Sequence, residues 1–453
     1  MKKGQIYQGV AGDIKFPNRT AVTTDEGEEC LVPNAITGQK VEFRVTKAKN
    51  KKYEGQLLKV LERSSIETAK NVCPHFGICG GCLYQSVPYA HQLRIKEYQV
   101  RKLLDEVQPG YKWEGIKASP MQFAYRNKME YSFGNEVLDG PLTVGLHKRN
   151  GFYDIVPVHD CRIVDDDFKM ILSYTQLYFR ASGIPFYHKL KHTGILRHLL
   201  VRKGLRTGEI MVAVVTTSEE LDLSGYTDTL VALNLQGTLV SVLHIVNDNP
   251  ADMVQADRIE VLYGKDHIYE EIFDLRFKIT PFSFFQTNTY GAEVIYDTVR
   301  GYLMSTPDNE VYDLYSGTGT IAQVLAPAAK KVIGVEIVPE AVEAARENAA
   351  KNGLKNCEFL CGDVLKVIDE IEEKPDLIIL DPPREGINPK ALKKIIAFGV
   401  DRIVYISCKP TSLARDLKVF YEDGYVIERA CAVDMFVGTQ NIETIVLLSK
   451  VKE

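Results

Sequence analysis

Cys408 stands at the end of an apolar run that is broken at once by a lysine and a proline, in the segment YISCKPTSLARD. Proline has no backbone N–H to donate to a sheet and favours extended geometry in the residue before it, so a strand has to end here. Thr411 or Ser412 is suited to cap the helix expected from LARDLKVF. The Cys408 thiol is therefore expected at the carboxyl end of a strand, where open α/β sheets carry their chemistry.

A glycine-rich segment, EVYDLYSGTGTIA, forms a second candidate site. Asp313 lies near a strand end, and Gly317 and Gly319 precede a helix, an arrangement that lets the backbone approach a ligand closely. Glu336 ends the following strand, 23 positions after Asp313, and is placed to bind ribose hydroxyls. Nicotinamide cofactors and S-adenosylmethionine share this mode of ribose binding, so these residues alone leave both cofactors open.

Two later strand ends favour one of these cofactors. CEFLCGDVL places Asp363 where it can meet an adenine amino group, and PDLIILDPPREG ends an apolar strand on Asp381. The strand that ends at Cys408 comes next, and Glu443 begins a final strand, IETIVLLSK. Glycine loop, acidic end, Gly-Asp, Asp-Pro-Pro and Cys-Pro in this order fit the sheet of a methyltransferase better than that of a dehydrogenase.

Three cysteines lie within ten residues in CPHFGICGGC, at positions 73, 79 and 82. The intervening glycines let the backbone fold back around a common centre, and Cys161 in VPVHDCRIV is the best candidate for a fourth ligand. Zinc and an iron–sulfur cluster both accept four thiolates. The uneven three-plus-one spacing favours a [4Fe–4S] cluster with Cys73, Cys79, Cys82 and Cys161 as ligands. His75 lies between these ligands in the sequence but is not expected to bind the cluster.

Length and composition indicate the class of protein to which these sites belong. The chain has 453 residues, a quarter of them charged, and a net charge of −5, which indicates a globular protein of two to four domains. No apolar run approaches the roughly 18 residues of a membrane span, and the first residues do not resemble a signal peptide. We therefore expect a cytoplasmic protein without a membrane partner, and nothing in the sequence implies a protein partner or an oligomer.

The chain divides into three expected regions. Residues 1–62 contain short strands with close turns and predict a small β-barrel, in which basic residues and Tyr53 crowd one hairpin. Residues 63–280 mix antiparallel strands with helices, and residues 281–453 alternate strands and helices. The predicted fold class is α/β: a Rossmann-like doubly wound domain preceded by an OB-like barrel and an α+β central domain.

Several of these motifs together resemble the S-adenosylmethionine-dependent RNA uracil-5-methyltransferases, particularly the branch that modifies bacterial 23S ribosomal RNA. The similarity spans nearly the whole chain and rests on CPHFGICGGC, YRNKMEYSFG, FSFFQTN, DLYSGTGT, DPPREG, SCKPTSLARD and IETIVLL. The first region likewise resembles the small RNA-binding barrel called the TRAM domain. The resemblance also implies that a helix near residues 88–106 packs on the catalytic domain.

The resemblance implies roles for individual residues. Cys408 would add to carbon 6 of the uracil, and Glu443 would later remove the proton from carbon 5. Phe284 would contact the target base. The cofactor site would be lined by Gln286, Tyr315, Thr320, Glu336, Asp363 and Asp381. The sequence departs from the family pattern before Glu443, where Val437 replaces a proline and Asn441 replaces a histidine.

Three other functions remain as alternatives. One is a tRNA uracil-5-methyltransferase of the same family. A methyltransferase for exocyclic amines of DNA is suggested by Asp-Pro-Pro, but Arg384 follows where such enzymes usually carry an aromatic residue. A noncatalytic RNA-binding or assembly factor would not need the pair Cys408 and Glu443.

Four basic residues of the central region are candidates to bind the phosphates that flank the target in a substrate RNA. They are Arg126, Lys128, Lys148 and Arg149.

Overall fold

The structure is a computed structural model that describes residues 1–151, 153–250, 256–303, 309–370 and 374–451. The first part of the chain folds into a closed five-stranded barrel. Alternate side chains of its fourth strand are buried, among them Val41, Phe43 and Val45, and they form the barrel's own apolar core. The barrel strands are β1 (Ile6–Lys15), β2 (Arg19–Thr24), β3 (Glu29–Pro33), β4 (Lys40–Lys49) and β5 (Lys52–Glu62).

The cysteine-rich segment follows the barrel and leads into α1 (Tyr89–Asp105) and β6 (Lys112–Lys117). Beyond these elements the described residues form a seven-stranded sheet with two helices, and then a separate hairpin. The elements are β7 (Lys128–Asn135), β8 (Leu142–His147), β9 (Ile155–Val156), α2 (Asp166–Ser182), β10 (Leu196–Lys203), β11 (Glu209–Thr216), α3 (Ser224–Val231), β12 (Thr238–Val246), β13 (Arg258–Gly264) and the hairpin of β14 (Ile268–Ile272) with β15 (Leu275–Ile279).

The last part of the chain alternates helices and strands. Its elements are α4 (Thr289–Leu303), β16 (Glu310–Leu314), α5 (Thr320–Leu325), β17 (Lys331–Glu336), α6 (Pro339–Lys351), β18 (Cys357–Cys361), α7 (Val364–Glu370), β19 (Leu377–Leu380), α8 (Pro389–Phe398), β20 (Arg402–Ser407), α9 (Pro410–Glu422), β21 (Tyr425–Val433) and β22 (Glu443–Lys450). Within the described residues, these strands and β6 from the middle of the chain form one sheet in the order β18-β17-β16-β19-β20-β22-β21-β6.

This sheet is doubly wound, as the sequence predicts. Strands β16 to β20 are parallel to one another, and β22 enters antiparallel between β20 and β21. Helices α4, α5 and α6 cover one face and share a buried apolar cluster with alternate strand residues such as Val404 and Ile406. Helices α1, α7, α8 and α9 cover the other face around Ile403 and Tyr405. The barrel, the α+β region and this sheet together confirm the predicted fold class.

Two elements cross from the middle of the chain to the last sheet. Helix α1 contributes Val100 and Leu104 to the apolar cluster on one face, and β6 pairs in parallel with β21 at the sheet edge. The barrel is attached at the same place, because Phe16 packs in this cluster and Asn18 accepts a hydrogen bond from the Tyr84 hydroxyl (2.5 Å). Among the described residues, no helix is both long and apolar enough to cross a membrane.

Candidate active site

Sheet pairing brings Cys408 and Glu443 together. Cys408 follows the last residue of β20, and Glu443 is the first residue of β22. The two strands run antiparallel, with Ser407 opposite Thr444. Cys408, which follows Ser407, and Glu443, which precedes Thr444, therefore lie at the same end of the sheet. The Cys408 side chain keeps access to solvent, whereas Glu443 is 3% exposed. A partly exposed thiol therefore lies beside a buried carboxyl group.

The two groups lie close enough to change each other's titration. Burial, reinforced by Glu443 and Asp381, raises the pKa of the Cys408 thiol to about 12. Burial, reinforced by Asp381, also raises the pKa of Glu443 to about 8. The Arg384 guanidinium opposes both increases because it favours the ionised forms. A carboxyl group that titrates near neutral pH is well matched to a general base.

Arg384 is a residue whose contribution the sequence did not reveal. It belongs to the DPPREG loop after β19, which α9 holds in place through hydrogen bonds. The Ser412 hydroxyl donates to the Arg384 carbonyl (2.9 Å), and the buried Asp416 carboxylate accepts from the Ile387 N–H (2.9 Å). Tyr405 donates to the same Asp416 oxygen (2.7 Å). The loop is therefore fixed on the strand that leads to Cys408, with Arg384 as the cation of the site.

The glycine loop after β16 has the backbone of a ligand cradle. Tyr315, Gly317 and Gly319 all have positive φ, at 72°, 55° and 73°. A Cβ atom added to Gly317 would meet no other atom within 4 Å, so the loop leaves open space there. Glu336 fixes the loop by accepting from the Gly317 N–H (3.0 Å) and, through its other oxygen, from Ile337 (2.8 Å). A carboxylate has further lone pairs, so these bonds leave Glu336 able to accept from ribose hydroxyls.

Asp313 lies within β16 beneath this loop and is fully buried. One of its carboxylate oxygens accepts from the Ala322 N–H (3.1 Å), but the other has no hydrogen-bond partner among the described residues. Burial, with Asp381 and Glu336 nearby, raises its pKa well above the usual range. The Ser316 hydroxyl is likewise buried and without a partner in the described residues. Unsatisfied polar atoms beside an open glycine loop fit a site for a polar, cationic cofactor such as S-adenosylmethionine.

The other predicted cofactor residues occupy the same edge of the sheet. Thr320 is the first residue of α5 and is buried, and Asp381 follows the end of β19. Although Asp381 retains some contact with solvent, its desolvation raises the pKa to about 7. Asp363 begins α7 by accepting from the Leu365 N–H (3.0 Å). Burial and the Asp363 carboxylate raise the pKa of Tyr315 to about 12.

Phe284 and Gln286 lie on a segment that joins the glycine loop to the central sheet. The Thr318 hydroxyl donates to the Phe284 carbonyl (3.3 Å), and the Asn127 side chain donates to the Gln286 carbonyl (3.0 Å). The Phe284 ring is 68% exposed, although most large apolar side chains of this region are buried. An aromatic ring displayed beside the cofactor loop is available to stack on a base.

The four predicted cysteine ligands are all buried, and Cys79, Cys82 and Cys161 belong to one packed cluster. Cys73, Cys79 and Cys161 each influence the titration of Cys82, whose pKa burial raises to about 12. The Gln85 side chain donates to the Cys82 sulfur (3.1 Å). Within the described ranges, no group of three or more His, Cys, Asp or Glu side chains is placed to hold a metal ion.

The four candidate phosphate-binding residues have different surroundings. Arg149 donates to the carbonyls of Cys79 and Cys82, so its guanidinium supports the cysteine segment. Lys148 lies 3.4 Å from Asp154, and Lys128 lies 2.6 Å from Glu130. Arg126 donates weakly to the Thr287 hydroxyl (3.5 Å). A cleft lies between the barrel, the cysteine segment and the active-site edge, and its lining includes Gly80, Arg126, Lys128, Arg149, Thr287 and residues 439–441.

Comparison with known proteins agrees with this geometry. A family model described as tRNA (Uracil-5-)-methyltransferase matches residues 255–451. A protein of Clostridium tetani described as an uncharacterized RNA methyltransferase is 45% identical over 452 residues, covering 99% of each chain. One of Caldanaerobacter subterraneus, described in the same words, is 47% identical over 455 residues, covering 99% of this chain and all of the relative.

A solved structure is similar over the same length. It is the tRNA (uracil-54, C5)-methyltransferase of Pyrococcus abyssi in complex with S-adenosyl-L-homocysteine. Its TM-score is 0.76 at 25% identity, and the match covers 97% of this chain and all of the other. Near-complete matches to RNA methyltransferases, together with the glycine loop and its acidic strand ends, lead to one conclusion. The chain belongs to the family of S-adenosylmethionine-dependent RNA uracil-5-methyltransferases.

Proposed function

We propose that this protein methylates carbon 5 of uridine in 23S ribosomal RNA through a covalent adduct on Cys408. The observation that carries this proposal is the pairing of an accessible thiol with the buried Glu443 at one sheet end. Carbon 5 of uracil is a poor nucleophile until the Cys408 sulfur adds to carbon 6 and makes the ring an enolate. S-adenosylmethionine supplies the methyl group that carbon 5 then takes.

Glu443 completes the reaction. After transfer, carbon 5 carries both the methyl group and a proton. Glu443 removes that proton, the electron pair of the C–H bond re-forms the ring double bond, and the Cys408 sulfur leaves as thiolate. Glu443 must be ionised to accept the proton, and its pKa of about 8 means that the ionised fraction increases as pH rises through the neutral range. Arg384 favours both the Cys408 thiolate and the Glu443 carboxylate.

The target base has to leave the RNA structure to reach Cys408. The exposed Phe284 ring is positioned to stack on the extruded uracil. The cleft that includes Arg126 and Lys128 is also lined by Thr287 and by residues 439–441 of the loop before Glu443. It offers cations to the phosphates on either side of the target. Arg149 is less suited to this role because its guanidinium is engaged with the cysteine segment.

A tRNA substrate is the second candidate. The matched family model carries a tRNA enzyme's description, and the Pyrococcus abyssi structure is of an enzyme that acts on uracil-54 of tRNA. The preference for 23S ribosomal RNA rests on the motifs of the complete chain, including the cysteine-rich segment. The two candidates share the same chemistry at Cys408 and differ only in the RNA that the cleft accepts.

Incubation with tritiated S-adenosylmethionine and separate transcripts of 23S RNA, 16S RNA and tRNA distinguishes them. We expect label on uridine carbon 5 of the 23S transcript, and none with Cys408→Ala, which should still bind the cofactor. Label on tRNA alone would favour the second candidate. Label on an exocyclic amine, or turnover by Cys408→Ala, would contradict the proposed reaction.

We further propose that Cys73, Cys79, Cys82 and Cys161 hold a [4Fe–4S] cluster. All four thiols are buried, and burial raises the pKa of Cys79, Cys82 and Cys161, so these thiols are costly to ionise unless a cation binds them. The Gln85 amide is placed to donate to the Cys82 sulfur. Protein purified anaerobically should contain iron and absorb in the visible range. Stoichiometric zinc without iron would contradict this proposal.

A further inference from the structure

The loop of residues 434–442 joins β21 to β22 and leads directly to Glu443. Its middle residue, Gly438, lies against the cysteine segment. The Gly438 carbonyl accepts from the N–H groups of both Leu83 (2.6 Å) and Tyr84 (2.8 Å), which directly follow Cys82. The Gly438 N–H donates to the Gln92 side chain of α1 (3.0 Å). Two backbone groups of this loop are therefore occupied by the region that carries the cysteines.

Close packing reinforces these hydrogen bonds. Gly438 has a φ of +79°, and a Cβ atom there would lie 3.0 Å from Cγ of Gln85 and 3.6 Å from the Cys82 sulfur. Gln85 in turn donates to that sulfur (3.1 Å) and accepts from the Cys73 N–H (2.9 Å). The adjacent Val437 belongs to the same buried cluster as Cys79, Cys82 and Cys161. The loop before Glu443 and the cysteine pocket thus form one packed unit.

Tyr84 extends this unit to the barrel. Its N–H donates to Gly438, and its hydroxyl donates to Asn18 in the turn between β1 and β2. The loop is also held from α1, because Lys96 donates to the Asp434 carboxylate (2.6 Å) and to the Phe436 carbonyl (3.1 Å). Only a few residues therefore separate the contacts with the cysteine segment from the start of β22.

We propose that the cysteine segment positions the proposed base, Glu443, through Gly438, and that the state of the four cysteines controls release of the methylated RNA. This inference rests on the proposed role of Glu443. Gly438 is a positioning residue, since it acts on the reaction only through the loop. Loss of the cluster that we propose for the four cysteines should leave cofactor binding and adduct formation in place. It should slow removal of the carbon-5 proton.

A pair of glycine substitutions tests this inference. Gly438→Ala adds a Cβ against Gln85 and Cys82 at positive φ. Gly424→Ala, in the turn before β21, imposes the same backbone strain at φ +84° but meets no atom within 4 Å. We expect Gly438→Ala to accumulate a labelled protein–RNA adduct and to release product roughly ten- to a hundredfold more slowly, because a displacement of about 1 Å at a catalytic group has effects of this size.

Gly424→Ala should release product at the rate of the unmodified protein, and both variants should bind S-adenosylmethionine with unchanged affinity. Equal release rates for the two variants would overturn the inference. Glu443→Gln serves as the reference. If it also turns over normally, the assignment of the base fails; if it stalls while Gly438→Ala does not, only the positioning role fails.

Hydrogen exchange gives a readout independent of activity. In Cys161→Ser, which changes the pocket from outside the loop and its contact residues, the amides of Leu83 and Tyr84 should exchange faster than in the unmodified protein. Amides in the middle of β22 should keep their protection and thereby show that the fold persists. Unchanged exchange at Leu83 and Tyr84 would overturn the inference, and if this variant does not fold, Gly438→Ala is measured instead with the same expectation.

Discussion

At the scale of single residues, the candidate active site contains a buried group of carboxyls with Arg384 as a nearby cation. Asp313, Asp381 and Glu443 all have raised pKa values, chiefly because burial disfavours their ionised forms. A cation that binds among them favours ionisation and lowers each pKa. The sulfonium group of S-adenosylmethionine is such a cation, whereas the thioether of S-adenosylhomocysteine is neutral.

The two ligands should therefore differ in their response to pH. Near pH 7, where Asp381 titrates, binding of S-adenosylmethionine should release protons, and release should diminish above the pKa of about 8 of Glu443. Binding that releases protons tightens as pH rises, by up to about tenfold per pH unit for each proton. The affinity ratio of S-adenosylmethionine to S-adenosylhomocysteine, measured by calorimetry between pH 6 and 9, should increase. A ratio independent of pH would contradict this electrostatic account.

The positions of Cys408 and Asp381 at one edge could be predicted from the sequence, because carboxyl ends of parallel strands meet there. Glu443 reaches the same edge at the amino end of β22, because that strand runs antiparallel to β20. The electrostatic role of Arg384 could not, since it depends on how α9 holds the preceding loop. The same is true of the unsatisfied oxygen of Asp313, which is a property of packing rather than of motif. The sequence motifs identified the residues of the candidate site. The pKa values of those residues depend on tertiary contacts that the motifs do not contain.

At the scale of elements, α1 is the helix that joins the middle of the chain to the catalytic sheet. Lys96 of α1 and Asp434 are both completely buried, and their charged atoms lie 2.6 Å apart. Lys102 of the same helix pairs with Asp13 of β1 at the surface, where both side chains are about two-fifths exposed. Removing one partner of a buried pair leaves an uncompensated charge, whereas an exposed pair contributes little.

Lys96→Met should therefore destabilise the protein by about 3–5 kcal/mol and Lys102→Met by less than about 1 kcal/mol. Trp113 is the single tryptophan and lies in β6, where its indole N–H donates to Glu97 of α1 (2.6 Å). Its fluorescence during denaturant titration reports on the docking of this helix. Equal shifts for the two variants would show that the buried pair does not secure α1.

The parallel strands and their helices followed from the alternation of apolar runs, but the pairing of β6 with β21 did not. The β6 sequence, KWEGIK, has no apolar alternation strong enough to assign it to β21, a partner strand more than 300 residues away in the chain. Its partly buried side chains acquire a role only when α1 has packed on the same face. Contacts over such separations depend on the assembled fold.

At the scale of the whole molecule, the barrel, the cysteine segment and the catalytic sheet meet around Tyr84 and Gly438. The sequence predicted the barrel, the α+β region and the doubly wound sheet as successive units. It did not predict this junction, because the residues involved, such as Asn18 and Gly438, carry no motif of their own. The cleft that contains Arg126, Lys128 and Arg149 is lined by residues of all three parts, including the loop before Glu443.

The covalent mechanism is tested most directly by Glu443→Gln incubated with tritiated S-adenosylmethionine and the 23S transcript. The amide retains the shape of the carboxyl group but cannot accept the carbon-5 proton, so methyl transfer should occur and elimination should stall. We expect a labelled protein–RNA adduct that survives denaturation and disappears in the double variant with Cys408→Ala. Normal turnover by Glu443→Gln without any adduct would contradict the account.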